Sequence, residues 1–313
     1  MSEDKAVAEE TPTPENYDEL HDAPPKNRLR LSLIGKISVG IVAFWIVIAV
    51  IGPWVAPYHE AFFIEEDANG EYFDDPSYML PSGLAWLGTD YIGRDVFSRI
   101  VWGARTTIGI SFAGTILAYF IGITLGIAAA VNGGWIDTLV SRAVDAILTF
   151  PSIMLGLIII AAFESSIPLL IGLAGVIYAA SVYRIARALG QDIMVQDFVM
   201  AAKARGEGLW WIITREVLPN AAIPLATDFG IRTIFVILFI SSLSFLGLGV
   251  QPPMSDWGSM VRENMEGLRY GLSGGAIACV APALAIASLT ISINLIVDDI
   301  SAAAGGNLTK EMV

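Results

Sequence analysis

The sequence predicts an all-α, polytopic membrane protein with six transmembrane helices. Of its 313 residues, 55% are hydrophobic and only 16% are charged, whereas soluble domains are about 45–50% apolar and about 25% charged. A helix needs about 20 apolar residues to cross the core of a bilayer, and the sequence contains six uncharged runs near that length. The six runs are residues 37–58, 106–131, 146–163, 165–183, 233–255 and 270–297.

Acidic residues concentrate before the first run and between the first and second runs. Residues 1–27 carry eight acids and two bases, and residues 56–99 carry nine acids and two bases. We expect the first segment to be disordered, because it has almost no aliphatic side chains, and the second to be a solvated loop. The predicted divisions are an acidic tail 1–30, a first helix 31–58, an external loop 59–105, a five-helix core 106–300 and a C-terminal tail 301–313.

The composition also excludes several classes of function. A net charge of −13 has the wrong sign for contacts with nucleic-acid phosphates. Cys279 is the only cysteine, and His21 and His59 lie far apart, so neither an intramolecular disulfide nor a zinc-type site is predicted. The sequence has no G-x-x-x-x-G-K-[ST] motif and therefore no phosphate-binding loop of this type.

The inner spans have distinctive residues at their boundaries and on their faces. Glu164 separates the third span from the fourth, which predicts a tight external hairpin. The fifth span is expected to begin near Ala221, and this places Asp228 and Arg232 on one helix face. Such a pair is either a structural ion pair or a functional site within the membrane.

Glycines at helical spacing predict a helix-contact surface on span two; they are Gly109, Gly114, Gly122 and Gly126.

The basic residues orient the predicted bundle. With the N-terminus inside, twelve Lys and Arg residues lie on the cytoplasmic side and five on the external side. Because basic residues are enriched in cytoplasmic loops, both termini are predicted to be cytoplasmic.

The segment between the fourth and fifth spans, residues 184–220, is too polar to cross a membrane and too rich in helix formers to be a loop. It predicts two short helices, 192–205 and 209–217, separated by Gly206 and ended by Pro219. Two interpretations are open at this point. The segment is either a rigid knob presented to a cytoplasmic partner or an amphipathic helix that touches only lipid headgroups.

The end of the external loop holds alternating charges at Asp90, Arg94, Asp95 and Arg99. Their spacing predicts a local, salt-bridged helix cap on an exposed helix. The functional alternative is a contact with an external substrate-binding protein.

The residues of the cytoplasmic segment resemble the "EAA" loop of ABC-importer permeases. Two alanines precede Gly206, and Leu218-Pro219-Asn220 follows, but Met200 stands where the family usually has Glu, and Glu216 where it usually has His. In that family the loop forms a coupling helix that docks on an ATP-hydrolysing subunit. The coupling residues implied by the resemblance are Met200, Ala201, Ala202, Gly206, Glu216, Leu218 and Pro219.

Further segments are similar to the dipeptide, oligopeptide and nickel branch of that family. They include residues 145–152, the run SFLGLGVQPPMSDWG at 244–258, and Asn294-Leu295 with Asp298, where Val297 replaces the usual Gly. The similarity extends from about residue 30 to 308. The external signature of the branch is matched by Gly88, Thr89, Asp90, Gly93, Arg94, Asp95 and Arg99.

The resemblance implies a permease subunit of an ATP-driven importer for peptides or related small solutes, in the cell membrane. Its implied partners are two ABC ATPase subunits, a homologous second permease, an extracytoplasmic binding protein and the lipid bilayer. ATP and Mg would be bound by the ATPases, and this chain would hold no cofactor and perform no catalysis. The rival interpretation is a stand-alone secondary transporter or channel, for which Asp228 and Arg232 are the candidate site.

Overall fold

The computed structural model describes residues 31–66, 69–270 and 274–311, and the predicted acidic tail 1–30 lies outside them. Helices dominate these residues, with isolated β-bridges in the external loop. The α-helices are α1 Leu33–Val55, α2 Val96–Asn132, α3 Gly134–Thr149, α4 Ser152–Phe163, α5 Ile167–Met194, α6 Asp197–Ala204, α7 Leu209–Ile212, α8 Leu218–Phe245, α9 Trp257–Glu263 and α10 Gly274–Glu311. A π-helical turn, Ile213–Val217, joins α7 to α8, and a 3₁₀ helix, Met265–Tyr270, follows α9.

Five helical stretches in the described residues are long and apolar enough to cross a membrane, and a sixth candidate is bent. The third predicted run falls on α3 and α4, which meet at an angle of 90°. The bend lies at Phe150-Pro151, where Phe150 is extended at φ −93° and ψ 138°, because a following proline disfavours the helical conformation. The twelve residues of α4 extend about 18 Å, so α4 alone is too short to span.

Three predicted boundaries are wrong. Helix α2 begins at Val96 rather than at residue 106, because the carboxylate of Asp95 caps it. Helix α8 ends at Phe245 rather than at residue 255, because Gly247 adopts φ +85°, which favours glycine. Helix α10 continues to Glu311, through most of the segment predicted as a tail.

The glycines of α2 form a contact surface against α5, as the sequence predicted. A Cβ atom added at Gly126 would lie 2.8 Å from the Cβ of Ala186, and Cβ atoms added at Gly114 and Gly122 would lie 3.0 and 2.6 Å from α5 side chains. These small residues let the two helices approach closely. Gly109 is the exception, because nothing lies within 4 Å of its added Cβ.

The first helix is anchored to the last at two points. The backbone N–H and the hydroxyl of Ser32 both donate to Asp299 Oδ2 at 2.8 Å, and the indole of Trp45 donates to Ser288 Oγ at 2.9 Å. Ser32 also accepts from the N–H of Gly35 at 3.0 Å, which caps α1. These bonds hold a helix whose apolar side chains are otherwise largely exposed.

Candidate functional site

The segment between α5 and α8 is built onto the bundle by an apolar inner face. Val199 and Ala202 of α6 and Ile212 of α7 are buried and pack in one cluster with Ile127 of α2 and Ala186 of α5. This packing connects the segment to α2 and α5. The two short helices were predicted, but α5 extends to Met194, so the first of them starts at Asp197.

The outer face of the same segment exposes large apolar side chains. Met200 is 56% exposed and Trp210 is 77% exposed. Contiguous exposed apolar surface on a soluble protein commonly marks an interaction site. Further exposed apolar residues of the segment are Val195, Phe198 and Leu209.

The predicted coupling residues of α6 divide between these two faces. Met200 and Ala201 are exposed, whereas Ala202 is fully buried. Ala202, although named among the coupling residues, does not present its side chain to a partner, because that side chain faces the cluster with Val199 and Ile212. Helical geometry places adjacent positions on different faces, and the alanine pair alone does not say which one is buried.

Gly206 ends α6 with two crossed backbone hydrogen bonds. Its N–H donates to Lys203 O at 3.0 Å, and the N–H of Glu207 donates to Ala202 O at 3.2 Å. This is the Schellman arrangement, which needs a left-handed residue after the helix, and Gly206 adopts φ +83°. Nothing lies within 4 Å of a Cβ added there, so the glycine is required by backbone conformation, while the space around it is open.

The remaining coupling residues lie where one helix passes into the next. The helical stretch is continuous from Leu209 to Phe245, so the expectation that Pro219 ends a helix is wrong. Pro219 is the second residue of α8 and follows directly after the π-helical turn Ile213–Val217. Glu216 lies in the π-helical turn, and its carbonyl accepts from Asn220 Nδ2 at 2.7 Å. Leu218 is half-buried and Pro219 is exposed.

At the end of the loop 59–105, the predicted ion pairs form a buried cluster instead of an exposed helix face. Arg94 Nε donates to Asp90 Oδ2 at 2.7 Å, and Arg99 Nη1 donates to the same oxygen at 2.6 Å. Glu263 of α9 accepts from Arg94 Nη2 at 2.9 Å and from Arg99 Nη1 at 2.8 Å. Two carboxylates and two guanidinium groups thus neutralise each other inside the protein.

Sequence reasoning missed Glu263, although it lies only five residues after the recognised run 244–258. A second buried contact between these segments is the hydrogen bond that the N–H of Ser255 donates to Glu60 Oε2 at 2.6 Å. The Ser255 hydroxyl accepts from Arg99 Nε at 3.1 Å. The external loop is therefore fastened to the segment around α9 by buried polar contacts.

The other signature residues shape the turn before α2. Thr89 is buried, donating to Pro76 O at 2.5 Å and accepting from the N–H of Met79 at 2.8 Å. Gly88 and Gly93 have positive φ. Asp95 caps α2 by accepting from the N–H of Ser98 at 2.8 Å, which confirms the predicted cap. Burial raises the pKa of Asp95, although its hydrogen bonds from Ser98 oppose the change.

All seven signature residues are buried. They therefore stabilise the external loop and are not available as a contact surface for an external protein. Their exposed neighbours are Trp86, which is 61% exposed, and Tyr91.

The charged residues within α8 form the predicted pair and gain a third partner. Arg232 Nε lies 3.1 Å from Asp228 Oδ1 and 3.3 Å from Asp228 Oδ2. The hydroxyl of Tyr119 in α2 donates to Asp228 Oδ2 at 2.5 Å. Within residues 31–66, 69–270 and 274–311, no group of three His, Cys, Asp or Glu side chains is placed to hold a metal ion.

The relatives found by comparison with known proteins agree with one another. Residues 122–303 match the family described as binding-protein-dependent transport system inner membrane component. The dipeptide transport system permease protein DppC of Alkalihalophilus pseudofirmus is 32% identical over 86% of this chain and 83% of its own length. The glutathione transport system permease protein GsiD of Escherichia coli O157:H7 is 33% identical over 87% and 86%.

The fold also has a solved counterpart. A chain of the MetNI methionine ABC transporter, in an inward-facing conformation, superposes with a TM-score of 0.51 and 17% identity. The match covers 64% of this chain and 96% of the other. At this identity the likeness concerns the fold alone.

Proposed function

Because the chain belongs to the family of binding-protein-dependent transport system inner membrane components, we propose that it carries peptides or related small solutes, using ATP hydrolysed by partner subunits. It is a permease subunit of an ABC importer and a multi-pass protein of the plasma membrane. Dipeptide and glutathione permeases among its relatives support this class of solute.

The proposed site of energy coupling is the segment 192–217. The observation that carries this proposal is its division into a buried inner face and an exposed apolar outer face. The outer face, with Met200 and Trp210 most exposed, would dock on an ATPase subunit. The inner face and the continuous helix Leu209–Phe245 would carry any movement of the ATPase into the membrane.

The proposed assembly contains two ABC ATPase subunits, a homologous second permease and an extracytoplasmic binding protein. Both termini and the segment 192–217 would then be cytoplasmic. ATP and Mg would be held by the ATPases, and this chain would respond to them through docking. Such coupling requires that the docked ATPase favour one of two permease conformations over the other.

The rival proposal, a secondary transporter acting alone, would use Asp228 as an ion-binding carboxylate. Both oxygens of that carboxylate are already engaged, by Arg232 and by Tyr119. We therefore favour the ATP-driven importer.

A pair of methionine variants tests the docking surface. We expect Met200→Asp to reduce the amount of ATPase subunit that co-purifies with the chain by at least about tenfold, because a charge on an apolar interface must be desolvated. Met254→Asp is the matched control, since Met254 is also exposed but lies between α8 and α9, at the other end of α8 from the segment 192–217. Full recovery of the ATPases with Met200→Asp, together with ATP-driven uptake, would exclude this face as the docking site.

A further inference from the structure

A groove lies among α8, α9 and α10. Its volume is about 530 Å³, which is within the range of sites that hold small organic molecules. The lining combines small buried residues with large exposed ones. Ser241 and Gly258 are buried, whereas Leu246 is 51% exposed and Ile291 is 59% exposed. The groove therefore opens on the outer surface of the chain, beside apolar side chains.

Three hydroxyl groups line the groove without making it polar. Those of Ser242 and Thr290 donate to carbonyl groups of their own helices, at 2.6 and 2.8 Å. The hydroxyl oxygen of Ser241 is buried. Because the other lining side chains are apolar, burial of a hydrocarbon chain in this space would be favourable.

The guanidinium of Arg262 lies at one end of this groove. Leu246 and Val261 line the groove. The residues that follow them in sequence, Gly247 and Arg262, lie against each other, since Nη1 of Arg262 is 2.7 Å from a Cβ atom added at Gly247. Gly247 is the second residue after α8, whose helical stretch is long and apolar enough to cross a membrane. Arg262 is thus placed near the end of a span, where basic side chains reach the headgroup region.

This guanidinium is available to a ligand. In the described part of the chain it makes neither an ion pair nor a hydrogen bond, and the side chain is exposed. The neighbouring acid, Glu263, is already engaged by Arg94 and Arg99. The groove therefore has apolar walls along its length and an unpaired cation at its end.

We propose that the groove binds a phospholipid, with the phosphate on Arg262 and one acyl chain between α8 and α10. A guanidinium binds phosphate oxygens with two parallel hydrogen bonds. The lining residues span 238–246 on one side and 283–291 on the other, and eight residue steps of helix extend about 12 Å. This length is close to half of the hydrocarbon core, which is about 30 Å thick, and so to the acyl region of one leaflet. The site requires only that the chain lies in a membrane, whatever solute it carries.

The test is photo-cross-linking of lipids to the whole transporter in liposomes. One probe is phosphatidylglycerol with a photoreactive group in an acyl chain, and the other is diacylglycerol with the same chain and no phosphate. The measured quantity is the adduct yield on groove residues divided by the yield on α1. The reference residues in α1 are exposed and are Phe44, Val47 and Val50. We expect this ratio to be at least about tenfold higher for phosphatidylglycerol.

Two variants test the two parts of the site, each with a matched control. Arg262→Gln should lower the ratio for phosphatidylglycerol to that for diacylglycerol, whereas Arg269→Gln should not, because Arg269 is also exposed but does not line the groove. Ala287→Phe fills the groove and should lower the ratio for both probes. Its control is Val280→Phe, since Val280 is 45% exposed on α10 and outside the groove. If Ala287→Phe does not assemble, Ala283→Leu in the same wall replaces it.

Three results would overturn the proposal. Equal ratios for the two probes, or an unchanged ratio in Arg262→Gln, would mean that the phosphate is not bound there. A ratio that falls when glycerol phosphate is added in excess would indicate a site for free phosphate esters. Groove residues without adducts, in a transporter that loses its second permease on Ala287→Phe, would make the groove a contact between permeases.

Discussion

Arg99, in the first turn of α2, is 1% exposed and donates to Glu263 at the end of α9 across 2.8 Å. The same nitrogen donates to Asp90 at 2.6 Å, so one buried guanidinium fastens the external loop to a segment more than 150 residues away. Residues of the same two helices also form an apolar cluster, in which Val96 and Ile100 of α2 pack with Trp257 and Met260 of α9, so the ion contact adds to an apolar core.

Removing the carboxylate of Glu263 should destabilise the external end. We expect Glu263→Ala to lower the free energy of unfolding by about 3 kcal/mol, because two buried guanidinium groups then share only Asp90. The measurement is the unfolding midpoint of the purified complex in detergent. Glu266→Ala is the control, since Glu266 is exposed in the following 3₁₀ helix. Equal midpoints for the two variants would contradict the structural role of the cluster.

Replacing Gly206 should weaken coupling without blocking insertion. Gly206→Ala forces a side chain into φ +83°, at a cost of about 1–2 kcal/mol, so the end of α6 should shift or fray. We expect a reduced rate of solute uptake per ATP hydrolysed. Gly208→Ala is the matched control, because Gly208 has φ −73° and open space around it. An unaltered ratio of uptake to ATP hydrolysis in Gly206→Ala would show that this cap is dispensable.

Asp256 should make stability depend on pH. It is buried and caps α9 by accepting from the N–H groups of Gly258 and Ser259 at 3.0 and 3.2 Å. Burial raises its pKa, against the effect of those hydrogen bonds.

Because the pKa of Asp256 is higher in the folded protein than in the unfolded chain, protonation of this carboxyl stabilises the fold. Its contribution to the free energy of unfolding is complete below the unfolded pKa of about 4 and is lost as pH rises through the folded pKa. Asp256→Asn keeps a cap and should flatten this part of the profile of unfolding midpoint against pH. In this variant the raised pKa of Asp95 should still give a slope of the same sign, smaller than the slope of the unaltered protein with both carboxyl groups. A profile identical to that of the unaltered protein would mean that Asp256 does not titrate in this range.

Deletion of residues 1–25 should leave uptake largely intact. The anchoring of α1 begins at Ser32, through its two bonds to Asp299, and the deletion does not touch it. Asp299→Asn provides the contrast, because it weakens that anchor and should lower the unfolding midpoint. Loss of uptake in a deletion variant that inserts normally would assign the acidic tail a role in transport.

The apolar runs predicted most of the helices, because hydrophobic length is dictated by the bilayer. The run 146–163 is not one straight helix, because the Phe150-Pro151 step produces a 90° bend, which hydrophobicity does not predict. The stripe of glycines predicted the α2–α5 contact, but not that Gly109 faces open space. One helix offers several faces, and its neighbours decide which is buried.

The sequence identified the residues of the candidate site, but it did not predict which of them are buried and which are exposed. The charges from Asp90 to Arg99 suggested an exposed helix because their neutralising partner, Glu263, lies 164 residues from Arg99 and cannot be paired with it from one sequence. Similarly, positions 201 and 202 are both alanine, and only the packing of α6 on Ile212 shows that Ala202 is the buried one and Ala201 the exposed one.

Cross-linking would show directly whether the segment 192–217 couples this permease to ATP-hydrolysing subunits. A photoreactive amino acid is placed at Met200 in one sample and at Met254 in another, and the adducts formed in native membranes are identified by mass spectrometry. We expect an adduct with an ATPase subunit from position 200 and none from position 254. Adducts from position 200 that contain only lipid would contradict a coupling role and make the segment an interfacial helix.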